Sequence, residues 1–183
     1  NIPPHNLREL VAALIHEVRN PDCTVDDLIE IMPGPDFPTG AVICGRDGIR
    51  SAYATGRGLL TVRARAEFET TKRGERIVVT EIPFMVNKAS MLERIAELVR
   101  DGRIDGVSDL RDESNREGMR VVIELKRDAP GEVVLNQLFK QTPMQSTFGV
   151  NILALVNNRP QTLTLKQALR HFIDFRREVV VRR

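Results

Sequence analysis

Apolar residues recur at helical spacing near the start of the chain, where Leu7, Leu10, Val11, Leu14, Ile15 and Val18 fall at i, i+3, i+4, i+7, i+8 and i+11. That period predicts an amphipathic helix with this stripe as its core face, ended by Asn20-Pro21. Thr24 with Asp27 three residues on is a capping-box signal, and Val25, Leu28, Ile29 and Met32 predict a short second helix. Pro33-Gly34-Pro35-Asp36-Phe37-Pro38 forbids regular structure. Ala41 to Cys44 reads as a short strand, and Asp47 to Ala54 as a short helix closed by Gly56 and Gly58.

The period then changes. Leu60, Val62, Ala64, Ala66 and Phe68 alternate with Thr61, Arg63, Arg65, Glu67 and Glu69, which predicts one half-buried strand over residues 59–70. Lys72-Arg73-Gly74 is a turn into a second strand through Ile77, Val78 and Val79. Asn87 is placed to cap a helix carrying Met91, Leu92, Ile95, Leu98 and Val99. Met119, Val121, Ile123 and Leu125 predict another strand, and Val134, Leu135, Leu138 and Phe139 another helix. Residues 144–156 alternate again, and Asn157-Asn158-Arg159-Pro160 reads as a turn. Leu165, Leu169, Phe172, Ile173, Arg176, Val179 and Val180 form a helical stripe that runs to the end. Hairpin strands interspersed with helices predict an α+β fold, a mostly antiparallel sheet flanked by helices.

Composition narrows the function classes. The 183 residues are 42% hydrophobic, enough for a sizeable core, with no Trp and a single Tyr, so aromatic stacking is not a major theme. Cys23 and Cys44 have neither zinc-ligand nor disulfide-framework spacing, which fits a reducing compartment. With no signal-peptide or membrane-spanning pattern, a cytoplasmic protein without membrane attachment is expected. The chain has no initiator Met and stops inside a predicted helix, as an excised fragment would. The net charge of +2 hides asymmetry. Residues 22–36 carry five acids and no base, residues 46–65 carry five arginines against Asp47 alone, and residues 165–183 hold six bases and two acids. Such local basic patches matter more to a polyanion than the total.

Candidate chemistry is sparse. No phosphate-binding glycine loop or nucleophile elbow is present, and His5, His16 and His171 share no ligand spacing. His16 reads as a solvated residue and His171 as a structural one. Asp105, Asp109, Asp112 and Glu113 could build a hard-cation site, but Arg111 and Arg116 among them favour a salt-bridged loop, and no metal site is expected. Tyr53, the only phenol, lies at i+4 from Ile49 on a short helix and has no base or metal beside it, so it reads as core rather than nucleophile. No catalytic residue is assigned. Gly56-Arg57-Gly58 would let the backbone approach a phosphate, with Arg57 offering a bidentate contact. The alternative is a tight turn before a strand whose Arg63 and Arg65 pair with Glu67, Glu69 or a neighbouring strand.

Asn1-Ile2-Pro3-Pro4-His5-Asn6-Leu7 holds an isoleucine on stiff, extended backbone at the mouth of a helix. Ile2 so presented can wedge between stacked bases, or pack on its own helix as a staple. His5 beside it is positioned for a phosphate hydrogen bond.

These motifs converge. Asn1-Ile2-Pro3-Pro4-His5-Asn6-Leu7, Gly34-Pro35-Asp36-Phe37-Pro38-Thr39, Tyr53-Ala54-Thr55-Gly56-Arg57-Gly58 and Leu110-Arg111-Asp112-Glu113-Ser114 resemble the family of bacterial DNA gyrase A subunits. So do Ile82-Pro83 with Val86-Asn87-Lys88, Glu124-Leu125-Lys126-Arg127-Asp128-Ala129, and Arg176-Arg177-Glu178-Val179-Val180 with Arg182-Arg183. The match runs end to end, and the paralogous A subunit of topoisomerase IV shares part of it. The resemblance implies an ATP-dependent type IIA topoisomerase, which cuts one duplex, passes another through and reseals. In that family the cutting tyrosine lies in a winged-helix domain preceding the Asn-Ile-Pro-Pro segment, so the fragment would be inert alone. ATP and magnesium belong to the partner subunit, so no cofactor is expected here. The implied partners are double-stranded DNA, the gyrase B subunit, and a second copy of the A subunit, in a heterotetramer. Residues 1–164 would be the tower-like α+β domain supporting and bending the gate duplex, and 165–183 the start of a long coiled-coil helix. Ile2 matches the family's intercalating isoleucine, which selects the wedge reading, and Arg46 and Arg57 fall in matching motifs.

Two other classes compete. One is a non-enzymatic protein-interaction module whose terminal helix drives dimerisation. The other is a small hydrolase using Asp and Glu pairs, disfavoured because no nucleophile or metal set converges.

Overall fold

The computed structural model describes all 183 residues as an α+β fold of six helices and nine strands, every described strand pairing antiparallel where its register is defined. The chain forms two compact units, one of residues 1–38, 45–61 and 147–183, the other of residues 39–44 and 62–146.

The first unit is largely helical. α1 (Leu7–Arg19) starts where Asn6 accepts hydrogen bonds from the amides of Arg8 and Glu9. α2 (Val25–Ile31) begins on the full capping box, with Thr24 and Asp27 each bonding the other's backbone amide. α3 (Asp47–Thr55) closes on Gly56, whose φ of 82° is the left-handed conformation a helix stop favours. α6 (Leu165–Arg182) opens on a second capping box, Thr164 with Gln167. The core takes Ala13, Leu28, Met32, Ile49, Ala52, Tyr53, Leu60, Phe148, Val150, Leu163 and Leu169.

The apolar stripe of α1 does not form its core face. Leu7, Val11, Ile15 and Val18 are exposed, while Ala13 and Glu17 are the buried positions. The small Ala13 side chain permits close packing on that side, and buried Glu17 takes a cationic partner from α6. In α6 only Leu165 and Leu169 are buried, and Phe172, Phe175, Val180 and Val181 are exposed. His171 is likewise exposed rather than part of a packed stripe.

The second unit holds the short β1 (Val42–Cys44) and builds a four-stranded sheet in the order β3 (Arg65–Thr71), β4 (Gly74–Glu81), β6 (Val121–Leu125), β5 (Val107–Asp112). Ile77, Val79, Val121, Ile123 and Leu125 form one face of its core, with Met91, Ile95 and Leu98 of α4 (Lys88–Arg100) and Val134 and Leu138 of α5 (Gly131–Gln141). The other face holds the buried Val78 and Val122 and carries a network of ion pairs. Arg76 reaches Glu69 and Glu124, Arg120 reaches Glu69 and Glu113, and Arg111 reaches Asp109, Glu113 and Glu124.

Three expectations are corrected. The run over 59–70 is two strands, β2 (Arg57–Arg63) and β3, because Ala64 leaves the ladder and gives its amide to the Met144 carbonyl at 2.7 Å. The acidic segment is not a loop: β5 carries its ion pairs across the sheet, which few apolar positions had signalled. Strands β7 (Gln145–Asn151) and β8 (Leu153–Val156) divide the run ending at 156, and β9 (Arg159–Thr162) begins where a turn was expected. Only Asn157 and Asn158 form that turn, both with positive φ, the two-residue hairpin geometry that asparagine tolerates.

Candidate nucleic-acid interface

Proline stiffness and side-chain anchoring together define the segment before α1. Pro3 is buried and Ile2 beside it is 56% exposed. Upstream of Ile2, Asn1 and Asn151 exchange backbone hydrogen bonds, N–H to O at 3.1 Å in both directions. The Asn1 side chain also donates to the Gly149 carbonyl at 3.3 Å. Downstream, the Pro4 carbonyl accepts from the Asp36 amide at 2.9 Å, and Asn6 Nδ2 donates to Asp36 Oδ2 at 3.2 Å. The isoleucine side chain therefore projects from backbone fixed on both flanks.

His5 completes the anchoring. Its Nδ1 meets the Pro3 carbonyl at 2.8 Å, and its Nε2 meets the Tyr53 hydroxyl at 2.9 Å. A carbonyl can only accept, so Nδ1 carries the proton and Nε2 accepts from the phenol. Burial is the largest influence on the imidazole and pushes its pKa below the ordinary 6.5, against opposing pulls from the Pro3 carbonyl and the Asp36 charge. Both ring nitrogens are engaged inside the protein. Tyr53 is 1% exposed, and burial followed by the Glu9 charge pushes its phenol well above the usual range. A phenol so held does not ionise to a nucleophile at neutral pH.

α3 carries Tyr53 and stands between two exposed arginines. Arg46 is its N-cap, and Arg57 follows its Gly56 C-cap. Nine residues of helix rise about 14 Å. Of the five arginines in the basic segment 46–65, three are committed. Arg50 pairs with Asp26 at 2.8 Å, and Arg65 pairs with Glu81 at 3.1 Å. Arg63 donates to Gln145 and lies over the Phe139 ring. Arg63 and Arg65 thus do pair with neighbouring elements, while the side chains of Arg46 and Arg57 bond nothing within the protein. The Gly56 and Gly58 backbone is used for packing rather than left open. A Cβ on Gly58 would meet the Gly48 carbonyl at 2.3 Å, and one on Gly56 the Leu163 carbonyl at 2.4 Å.

The four acids that could have built a cation site are bound by cations: Asp105 by Lys126, Asp109 by Arg111, Asp112 by Lys88 and Glu113 by Arg111 and Arg120. Lys88, followed by Ser114, holds Asp112 down to about 2. A donor set with each carboxylate already on an ammonium or guanidinium does not fit a hard divalent cation.

One buried network escaped sequence reasoning. Glu17, 2% exposed, accepts from the Cys23 thiol at 2.7 Å and from Arg170 Nε at 2.6 Å. Lys166 donates to the Cys23 carbonyl at 2.6 Å. Burial and the Glu17 hydrogen bond push the Cys23 thiol up to about 11, so it stays a donor. The apolar spacing of α1 carries no signal of it, because the stripe of Leu7, Leu10, Val11, Leu14, Ile15 and Val18 skips Glu17 and tertiary packing alone sets the inward face. The His5–Tyr53 pair had no signal, because its partners lie 48 positions apart.

The family model describing the A subunit of DNA gyrase and topoisomerase IV matches residues 1–183. The chain is 60% identical to the DNA gyrase A subunit of Fibrobacter succinogenes, over all of this chain and 20% of that protein. It is 57% identical to the Synechocystis sp. protein of the same name, over all of this chain and 22% of that one. For the Pseudomonas aeruginosa protein of that name the figures are 54%, the whole chain and 20%. The chain thus spans about a fifth of the length of the curated relatives it matches.

Proposed function

The chain belongs to the family of DNA gyrase and topoisomerase IV A subunits, and from that premise we propose that it is the tower-like region that supports and bends the gate duplex. The observation that carries this reading is Ile2, 56% exposed on an arm anchored at Asn1, Pro4 and His5. An exposed isoleucine on mobile backbone would lose entropy on insertion and would fold away. On anchored backbone it enters a base step already oriented. Unstacking costs a few kcal/mol per step and is offset by the extra surface a bent duplex touches.

Arg46 and Arg57 supply phosphate contacts at the two ends of α3, since neither is spent on an internal carboxylate. Such contacts fix register without reading sequence. The 1–164 region acts as the tower and 165–183 leads into a coiled coil, which would cover the apolar residues that α6 and α1 leave exposed. In the parent enzyme, cytoplasmic and ATP-dependent, ATP and magnesium come with the B subunit, and the gate is completed by a second A subunit. Tyr53, the sole tyrosine, is buried and bonded to His5, so the cutting tyrosine comes from outside these residues. Gyrase is favoured over topoisomerase IV because the Fibrobacter, Synechocystis and Pseudomonas relatives carry that name.

The test places 2-aminopurine, which brightens on unstacking, at successive steps of a gate duplex bound by the full-length A subunit together with its partner. A rise at one step that Ile2→Ala abolishes is expected. Equal signals with and without the isoleucine would remove the wedge.

A further inference from the structure

Resting on the wedge reading, we propose that His5 and Tyr53 form a latch that positions Ile2, acting on the DNA bend through the arm rather than by touching DNA. The geometry has three links. Tyr53 is fixed in α3 with its ring fully buried, so its hydroxyl is a stationary donor. His5 accepts that proton on Nε2 at 2.9 Å and donates from Nδ1 to the Pro3 carbonyl at 2.8 Å. The Pro3 carbonyl lies one residue past Ile2, and Pro3 and Pro4 have φ fixed by their rings. Rotation of the arm about the remaining soft torsions would break the Nδ1 bond, and the imidazole cannot follow because its other nitrogen is held.

The two ring nitrogens divide the roles, which makes the latch dissectable. Tyr53→Phe keeps the buried ring and removes only the hydroxyl. His5→Asn keeps an amide donor where Nδ1 stands and loses the reach to Tyr53. Both variants cut the same link from opposite sides. A residue that positions Ile2 should also lose its effect when Ile2 is absent, whereas a merely structural residue should not.

The experiment uses the full-length A subunit together with its partner, on a duplex labelled for fluorescence transfer between its ends. Tyr53→Phe, His5→Asn, the double variant, Ile2→Ala, and Ile2→Ala combined with Tyr53→Phe are compared. Loss of one net hydrogen bond should lower the bent-to-straight ratio roughly fivefold in each latch variant. The double variant should fall no further than either single one, since both remove one interaction. Tyr53→Phe should change nothing further in the Ile2→Ala background, and duplex affinity at fixed salt should stay within about twofold because phosphate contacts dominate it.

Outcomes separate cleanly. If Ile2→Ala reduces bending while Tyr53→Phe and His5→Asn bend as wild type, the latch is wrong and the wedge stands. If the Tyr53→Phe effect persists in the Ile2→Ala background, Tyr53 is structural and the latch is wrong. If Ile2→Ala itself bends DNA normally, the wedge reading falls and takes the latch with it. Melting temperatures recorded alongside identify any variant whose loss of bending reflects unfolding, and the remaining member of the His5/Tyr53 pair then decides.

Discussion

Arg170 on α6 donates from Nε to Glu17 on α1 at 2.6 Å, joining a half-exposed guanidinium to a carboxylate that is almost completely buried. Burial works to raise the Glu17 pKa, but hydrogen bonds from Cys23 and Arg170 outweigh it and leave the group below its ordinary 4.5. Glu17→Ala removes an acceptor from both partners, and the cost is moderated because Arg170 can turn to water. A loss of about 2 kcal/mol is expected, below the full penalty for breaking a fully buried pair. Denaturant melts of Glu17→Ala and Arg170→Ala should show both losses, with the double variant losing less than their sum.

The same pair gives an acid limit. A carboxylate with a depressed folded pKa contributes stability above its unfolded value of 4.5, and that contribution is lost as pH falls through the folded pKa. Melting temperature measured below pH 4.5 should therefore fall less steeply in Glu17→Gln than in wild type.

His5 acts in a higher window with a different sign of charge. Its folded pKa lies below 6.5, so the unfolded chain binds the proton more readily. Stability is full above pH 6.5 and declines as pH drops from there through the folded pKa. Asp36 pulls the imidazole toward protonation and limits the effect, while Glu9 acts on the neighbouring Tyr53 phenol. His5→Asn should flatten the melting-temperature profile just below pH 6.5 and leave the Glu17 window unchanged.

Arg57→Ala should weaken duplex binding by the full-length protein regardless of sequence. The line of log K against log salt should become shallower by roughly 0.9 for each phosphate no longer neutralised. Arg46→Ala should do the same. Arg65→Ala should leave the slope unchanged, because its guanidinium is spent on Glu81. Identical slopes for Arg57→Ala and wild type would remove Arg57 from the interface.

Much of the fold was legible because local chemistry wrote it. The Thr24–Asp27 capping box, the Asn87 cap and the Gly56 stop all formed where the residues called for them. The face of α1 was not legible. Periodicity identifies an apolar stripe but not what covers it, and here Ala13 and Glu17 take the interior while Leu7, Val11, Ile15 and Val18 remain exposed. β5 escaped because Asp109, Arg111 and Asp112 are stabilised by ion pairs rather than by apolar alternation. Of the proposed interface, Ile2, Arg46 and Arg57 are the residues that motif and charge single out, and the structure leaves all three exposed. The hold of Tyr53 on His5 depends on contact between distant segments, which one sequence does not encode locally.

If Ile2 bends DNA as an exposed side chain on an anchored arm, the bend angle of a gate duplex must change on the full-length Ile2→Ala protein. Alanine is too short to fill an opened base step, and Ile2 lies outside the buried core. Fluorescence transfer between the duplex ends should therefore report a straighter duplex, with the melting temperature of the protein unchanged. A variant that melts well below wild type yet bends DNA normally would contradict the account and make Ile2 a packing residue.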